Sequence, residues 1–87
     1  MKEIETEKAQ IMFKLARKNN WGHKYDRLEH FKRFQQRDIV VKELSKQGCL
    51  LIYPKPNFIG ISLNTEHKKE IINFIEFYLP HVKGMIR

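Results

Sequence analysis

DIVVKELSKQGCLLIYPKPNFIGISLNTEHKKEIINFIEFYL, residues 38–79, changes its hydrophobic period along its length, and those changes set the order of elements. At its start Val40, Val41 and Leu44 fall on one side of a helix, with Asp38, Lys42, Ser45 and Lys46 away from them. This pattern predicts a helix over 37–47. Gly48 stops it, because glycine enters the left-handed backbone that closes a helix without steric cost. Two β-rich runs follow, Cys49–Tyr53 and Phe58–Leu63, separated by Pro54-Lys55-Pro56-Asn57. They predict a hairpin with a short, proline-stiffened tip. In the second run Ile59, Ile61 and Leu63 alternate with Gly60 and Ser62, the period of a half-buried strand. Asn64 or Thr65 then suits the cap of a last helix, with Glu66 in its first turn. Ile71, Ile72, Phe74, Ile75, Phe77, Tyr78 and Leu79 make that helix apolar around most of its circumference until Pro80 ends it.

Upstream, Ile4, Ile11, Met12, Leu15 and Ala16 recur at helical spacing, predicting a first helix over about 3–19 with Glu3, Glu5 and Glu7 near its positive end. Asn19-Asn20 and Gly22 break it. Trp21 lies in the break and reads as a plug between helices. A second helix is expected over 25–34, with Leu28 and Phe31 inward and Arg27, Lys32 and Arg33 outward. The expected architecture is α+β and mainly α: three helices, a two-stranded hairpin and a C-terminal helix. One domain spans residues 1–87, with 81–87 a flexible or folded-back tail.

The net charge of +7 is unevenly placed. Between Lys14 and Arg37 eight Lys or Arg stand against two acids, Asp26 and Glu29. A basic block on folded elements points to an anionic partner, most often a phosphate backbone. With 41% apolar and 31% charged residues the composition is that of a globular chain, which excludes wholesale disorder. The lone cysteine, Cys49, excludes an internal disulfide and fits a reducing compartment; its apolar neighbours make it a small core residue rather than a nucleophile. The longest apolar run is too short to span a bilayer, and MKEIETEKAQ is no signal peptide, so a cytoplasmic, nucleoid-associated protein is expected.

Two stretches carry a resemblance: VKELSKQGCLLIY at Val41–Tyr53 and GISLNTEHKKEII at Gly60–Ile72. In order and spacing they are similar to the winged helix-turn-helix superfamily, closest to MarR-like and related archaeal or bacterial transcription regulators. There a recognition helix ends in Leu-x-x-x-Gly, a strand leads into the wing, and the return strand runs into a Ser-Leu-Thr-like cap. Leu44–Gly48 and Ser62–Thr65 stand at those places. The resemblance implies a small transcription regulator that binds duplex DNA and is no enzyme. It passes the recognition-helix role to Arg37, Lys42, Ser45 and Lys46, and the wing role to Lys55 and Asn57. This wing is short and carries a single basic residue, unlike the longer, Arg-rich wings of the family. Arg27, Lys32, Arg33 and Gln36, just upstream, complete the expected DNA-binding set, since Arg and Lys grip phosphate or guanine and Gln pairs with adenine. Other readings are a protein-interaction module within a larger complex, or an RNA-binding domain with Trp21, Tyr25 or Tyr53 stacking on bases.

Other chemistry is thinly represented. His23, Asp26 and His30 would share a face only on a continuous helix, and they read as phosphate-side groups rather than metal ligands; His67 and His81 read as surface residues. No nucleophile–base pair, phosphate-binding glycine loop, cofactor motif or small-molecule site is legible, so no cofactor is expected. The last helix has more apolar surface than a small core needs, which predicts a homodimer through Phe74, Phe77 and Tyr78.

Overall fold

The computed structural model describes residues 4–86 and has an α+β architecture, mainly helical. Its elements are α1 (Ile4–Arg17), β1 (Asp26–Arg27), a 3-10 turn (Leu28–Phe31), α2 (Arg37–Lys46), β2 (Leu50–Pro54), β3 (Ile59–Leu63), a second 3-10 turn (Thr65–His67), α3 (Lys68–Tyr78) and a third (Pro80–Val82). The strands form one antiparallel sheet in the order β1-β3-β2. The predicted start of the first helix at Glu3 lies outside the described residues.

Stops fall where the sequence places them. Asn19 (φ 59°) and Gly22 (φ 68°) turn the chain after α1, and Gly48 (φ 82°) ends α2. The Asn64 side chain accepts the N–H of Glu66, but that cap opens a 3-10 turn, so α3 begins later, at Lys68.

The second predicted helix, 25–34, does not form. Asp26 and Arg27 are extended and pair with Ile61 and Gly60 of β3, and the chain then makes a 3-10 turn. The expected two-stranded hairpin is consequently a three-stranded sheet. Two forces outweigh the helical pattern. The open edge of β3 satisfies backbone groups of β1, and the Asp26 carboxylate accepts the Arg27 N–H at 2.8 Å, a local bond that competes with helix formation. Leu28, Phe31 and Phe34 are also spaced by three, which aligns them on a 3-10 backbone; Phe34 N–H to Phe31 C=O and Arg37 N–H to Phe34 C=O continue the tight turns.

The core lies between α1, α2, α3 and the inner face of the sheet. Ile11, Met12 and Leu15 meet Phe31, Val40, Leu44, Ile61, Leu63, Ile71 and Ile75, all essentially without solvent contact. Each such side chain contributes roughly 1.5–3 kcal/mol by leaving water. Two polar ties fix α1 against α2. Buried Glu7 accepts the Gln36 N–H at 2.7 Å through Oε1, placing a carboxylate at the positive end of α2. Lys8, equally buried, reaches Glu43 at 2.8 Å and Glu5 at 3.2 Å. Burial opposes the Lys8 charge, but the two carboxylates outweigh it and hold the ammonium above its usual pKa.

Trp21 bridges the region: it pairs with Leu63, packs partly buried against the core, and has the Lys68 ammonium 5.6 Å from its ring. After Pro80, Val82 is buried and the Gly84 N–H donates to Glu76 at 3.0 Å, so the chain turns back on α3. No helix among the described residues is long and apolar enough to cross a membrane.

Candidate nucleic-acid interface

The candidate cations fall in three places of the fold, each set by a different element.

The first is the outer row of α2. Val40, Val41 and Leu44 face the core, which leaves Asp38, Ile39, Lys42 and Lys46 exposed and Ser45 half-buried. Neither Lys42 nor Lys46 makes an ion pair among the described residues. Arg37 is more committed. Its guanidinium meets Asp38 Oδ1 at 3.0 Å and points another nitrogen at the Leu28 carbonyl, 3.5 Å away. Gln36 sits at the N-cap, its N–H held by Glu7. Lys32 is exposed in the turn before α2.

The second place is the hairpin. The Lys55 N–H bonds to the Phe58 carbonyl at 2.9 Å, leaving Pro56-Asn57 as the tip, with Lys55 and Asn57 exposed. Tyr25 lies over Gly60, and its ring sits 5.6 Å from Tyr53 and 6.0 Å from Phe58. Two cations cap this trio: Arg27 stands 4.4 Å over Phe58 and Lys55 5.4 Å over Tyr25. Gly60 makes the cluster possible, since a Cβ there would stand 2.6 Å from Tyr25 Cδ1. The Tyr53 hydroxyl donates to the Gly22 carbonyl at 2.7 Å and steadies the patch. The helical period of the sequence sets Arg27 on a helix. Through β1 it instead joins the hairpin, giving the short wing-like tip a second cation and an aromatic base.

The third place is an open cleft of about 610 Å³ between the C-terminal half of α1, the 33–34 turn and the chain after α3. Lys14, Arg17, Lys18 and Arg33 line it with Phe13, Phe34, Gln10, Leu79 and His81. Only Arg33 of these cations is among the residues singled out from sequence. The signal for the others was present, because Lys14, Arg17 and Lys18 are spaced three and four apart on one helical face. Burial, together with repulsion from Lys18 and Arg33, lowers the Lys14 pKa. Its ammonium also donates to the His30 carbonyl at 2.6 Å and lies 4.5 Å from the centre of the Phe31 ring.

The histidine–aspartate set resolves differently from a shared helical face. Asp26 takes His30 Nδ1 at 2.6 Å and Lys18 at 3.2 Å. This is a local brace that ties α1 to β1. Among the described residues no group of three His, Cys, Asp or Glu is placed to hold a metal ion. Cys49 is partly buried, and burial, with Glu70 nearby, pushes its thiol pKa up, away from thiolate chemistry.

On α3, Ile71, Ile75 and Leu79 are buried, and Phe74 and Tyr78 pack against the core. Phe77 alone of the expected dimer residues stands out, 76% exposed, edge-on to Tyr78. Comparison with protein-family models, curated proteins and solved structures gives no match to this chain.

Proposed function

We propose that this chain is a small DNA-binding protein of the winged-helix type, a transcription regulator that grips duplex DNA through α2 and the hairpin. The observation that carries the reading is the exposed Lys42/Lys46 row of α2, without an ion pair among the described residues, beside a sheet on which Arg27 of β1 and Lys55 of the hairpin cap an aromatic base. The helix–strand–turn–helix–hairpin order and three-stranded sheet are compatible with a winged helix.

A major groove roughly 12 Å wide accepts one α-helix, and the outer row of α2 offers it mixed chemistry. Lys42 and Lys46 donate to phosphate or guanine, Ser45 bonds to either, and exposed Ile39 provides an apolar contact suited to a thymine methyl. Arg27 and Lys55 then serve the adjacent backbone. A two-fold dimer through exposed Phe77 belongs to the same reading and would repeat the contact about one DNA turn away. Sedimentation of the pure protein tests that part.

Binding to a pool of random duplexes over a salt series tests the whole. Four phosphate-contacting cations give a slope of log K on log salt of roughly −3 to −4. A flat salt dependence, or preference for structured RNA over duplex DNA in competition, overturns the proposal.

A further inference from the structure

The cleft beside α1 is not used by the duplex-binding surface, and its side chains are arranged as a site of their own. Arg17 and Arg33 both line it, one from the end of α1 and one from the turn before α2. Neither guanidinium has a carboxylate partner among the described residues. Each instead lies against a ring of the cleft wall, Arg17 at 5.8 Å from Phe13 and Arg33 at 4.9 Å from Phe34. Among the described residues no acid lines the cleft, whereas Lys14 and Lys18 add further positive charge. Lys18 is partly spent on Asp26 and Lys14 on the His30 carbonyl, so the two arginines are the cations left with open donors. Within the same lining the Gln10 Oε1 is buried and accepts no hydrogen bond. An acceptor in that position lacks a donor that a ligand would bring.

Three demands therefore meet in one space. Paired guanidiniums suit the oxygens of a phosphate, which they bond as planar forks. Aromatic walls suit a flat ring, and the Gln10 carbonyl suits an N–H or O–H on that ligand. The volume of about 610 Å³ falls in the range of roughly 300–1,000 Å³ typical of small-molecule clefts. We infer that this cleft binds a nucleotide, with its phosphate between Arg17 and Arg33, its base against Phe13, and an amino or hydroxyl donor on Gln10. The inference does not depend on duplex binding, because the cleft involves neither Lys42, Lys46 nor the hairpin.

The test uses the full chain without nucleic acid and AMP as the probe, read by calorimetry and by NMR shifts at low salt. AMP binds with one site per chain, while adenosine and inorganic phosphate each bind about tenfold or more weakly, since each lacks part of the recognition. Arg33→Gln and Arg17→Gln, both at exposed positions, each weaken AMP roughly tenfold and leave the thermal melt unchanged. Gln10→Met removes the acceptor and weakens AMP while inorganic phosphate binding stays as it was. Equal affinity for AMP and inorganic phosphate, AMP affinity unmoved by the arginine variants, or no AMP binding by a folded chain each overturns the inference. Loss of AMP binding in Arg17→Gln with duplex affinity retained separates this site from the proposed DNA surface.

Discussion

Replacing Asp26 by asparagine probes the brace that stands where a helix was expected. The carboxylate, 9% exposed, accepts the Arg27 N–H at 2.8 Å, His30 Nδ1 at 2.6 Å and the Lys18 ammonium at 3.2 Å. Lys18 and His30 are half exposed, so each of their contacts is worth only about 0.2–1 kcal/mol. The backbone bond to a charged acceptor adds about 1.5 kcal/mol or somewhat more. Asn retains a neutral acceptor for Arg27, so Asp26→Asn costs about 1–2 kcal/mol and Asp26→Ala about 2–3 kcal/mol. In a domain of this size the Asn variant melts roughly 4–16 °C lower.

The effect has a definite pH signature. Burial acts to raise the Asp26 pKa, but His30, the Arg27 N–H and Lys18 outweigh it and leave it below the ordinary 3.8. Folding thus favours the charged form. The stabilisation is complete above the unfolded value and is lost as pH falls through the lower folded value. Thermal melts by circular dichroism from neutral pH downwards read it directly. The gap between wild type and Asp26→Asn is full at neutral pH and closes below pH 3.8. Equal melting at neutral pH, or a gap that persists undiminished in acid, refutes the reasoning.

Further outcomes follow from single positions. Gly60→Ala places a Cβ against Tyr25 and costs about 1–3 kcal/mol, with loss of the tyrosine signal in near-ultraviolet dichroism; an unaltered spectrum contradicts the Tyr25-on-Gly60 packing. Ile75→Ala, at a residue with no exposure, costs about 2–4 kcal/mol in urea unfolding. Phe77→Ala, on the opposite, exposed side of α3, changes monomer stability by less than about 0.5 kcal/mol and reveals by sedimentation whether Phe77 holds a second copy.

Legibility followed the range of the forces. The α2 stripe and the Gly48 stop depend on neighbours within a few residues, and each stands where the sequence puts it. β3 forms over the expected run, but without the half-buried alternation: Ile59 is exposed, while Gly60 and Ser62 are buried because Tyr25 covers one and the Asn20 and Lys24 carbonyls accept from the other. Asp26–Arg27 went the other way because its fate is set by a strand more than thirty residues ahead, an edge that local periodicity does not contain. Arg27 moved with it. The cleft was hidden for a similar reason: Lys14 and Arg17 show their spacing on α1, but Arg33 meets them only after the 3-10 turn forms. The apolar surface of α3 looks excessive on local pattern alone, because the cover that Phe74 and Tyr78 find against the core comes from elements distant in sequence.

Entry of α2 into a DNA groove, as proposed, is read by the salt dependence of duplex binding, compared between Lys42→Ala/Lys46→Ala and wild type. Both residues are exposed, so the variant keeps its fold. If they contact phosphate, the slope of log K on log salt becomes shallower by about 2, and affinity at low salt falls. A variant that binds duplex DNA with the wild-type slope and affinity contradicts the account, because the grip would then lie elsewhere on the molecule.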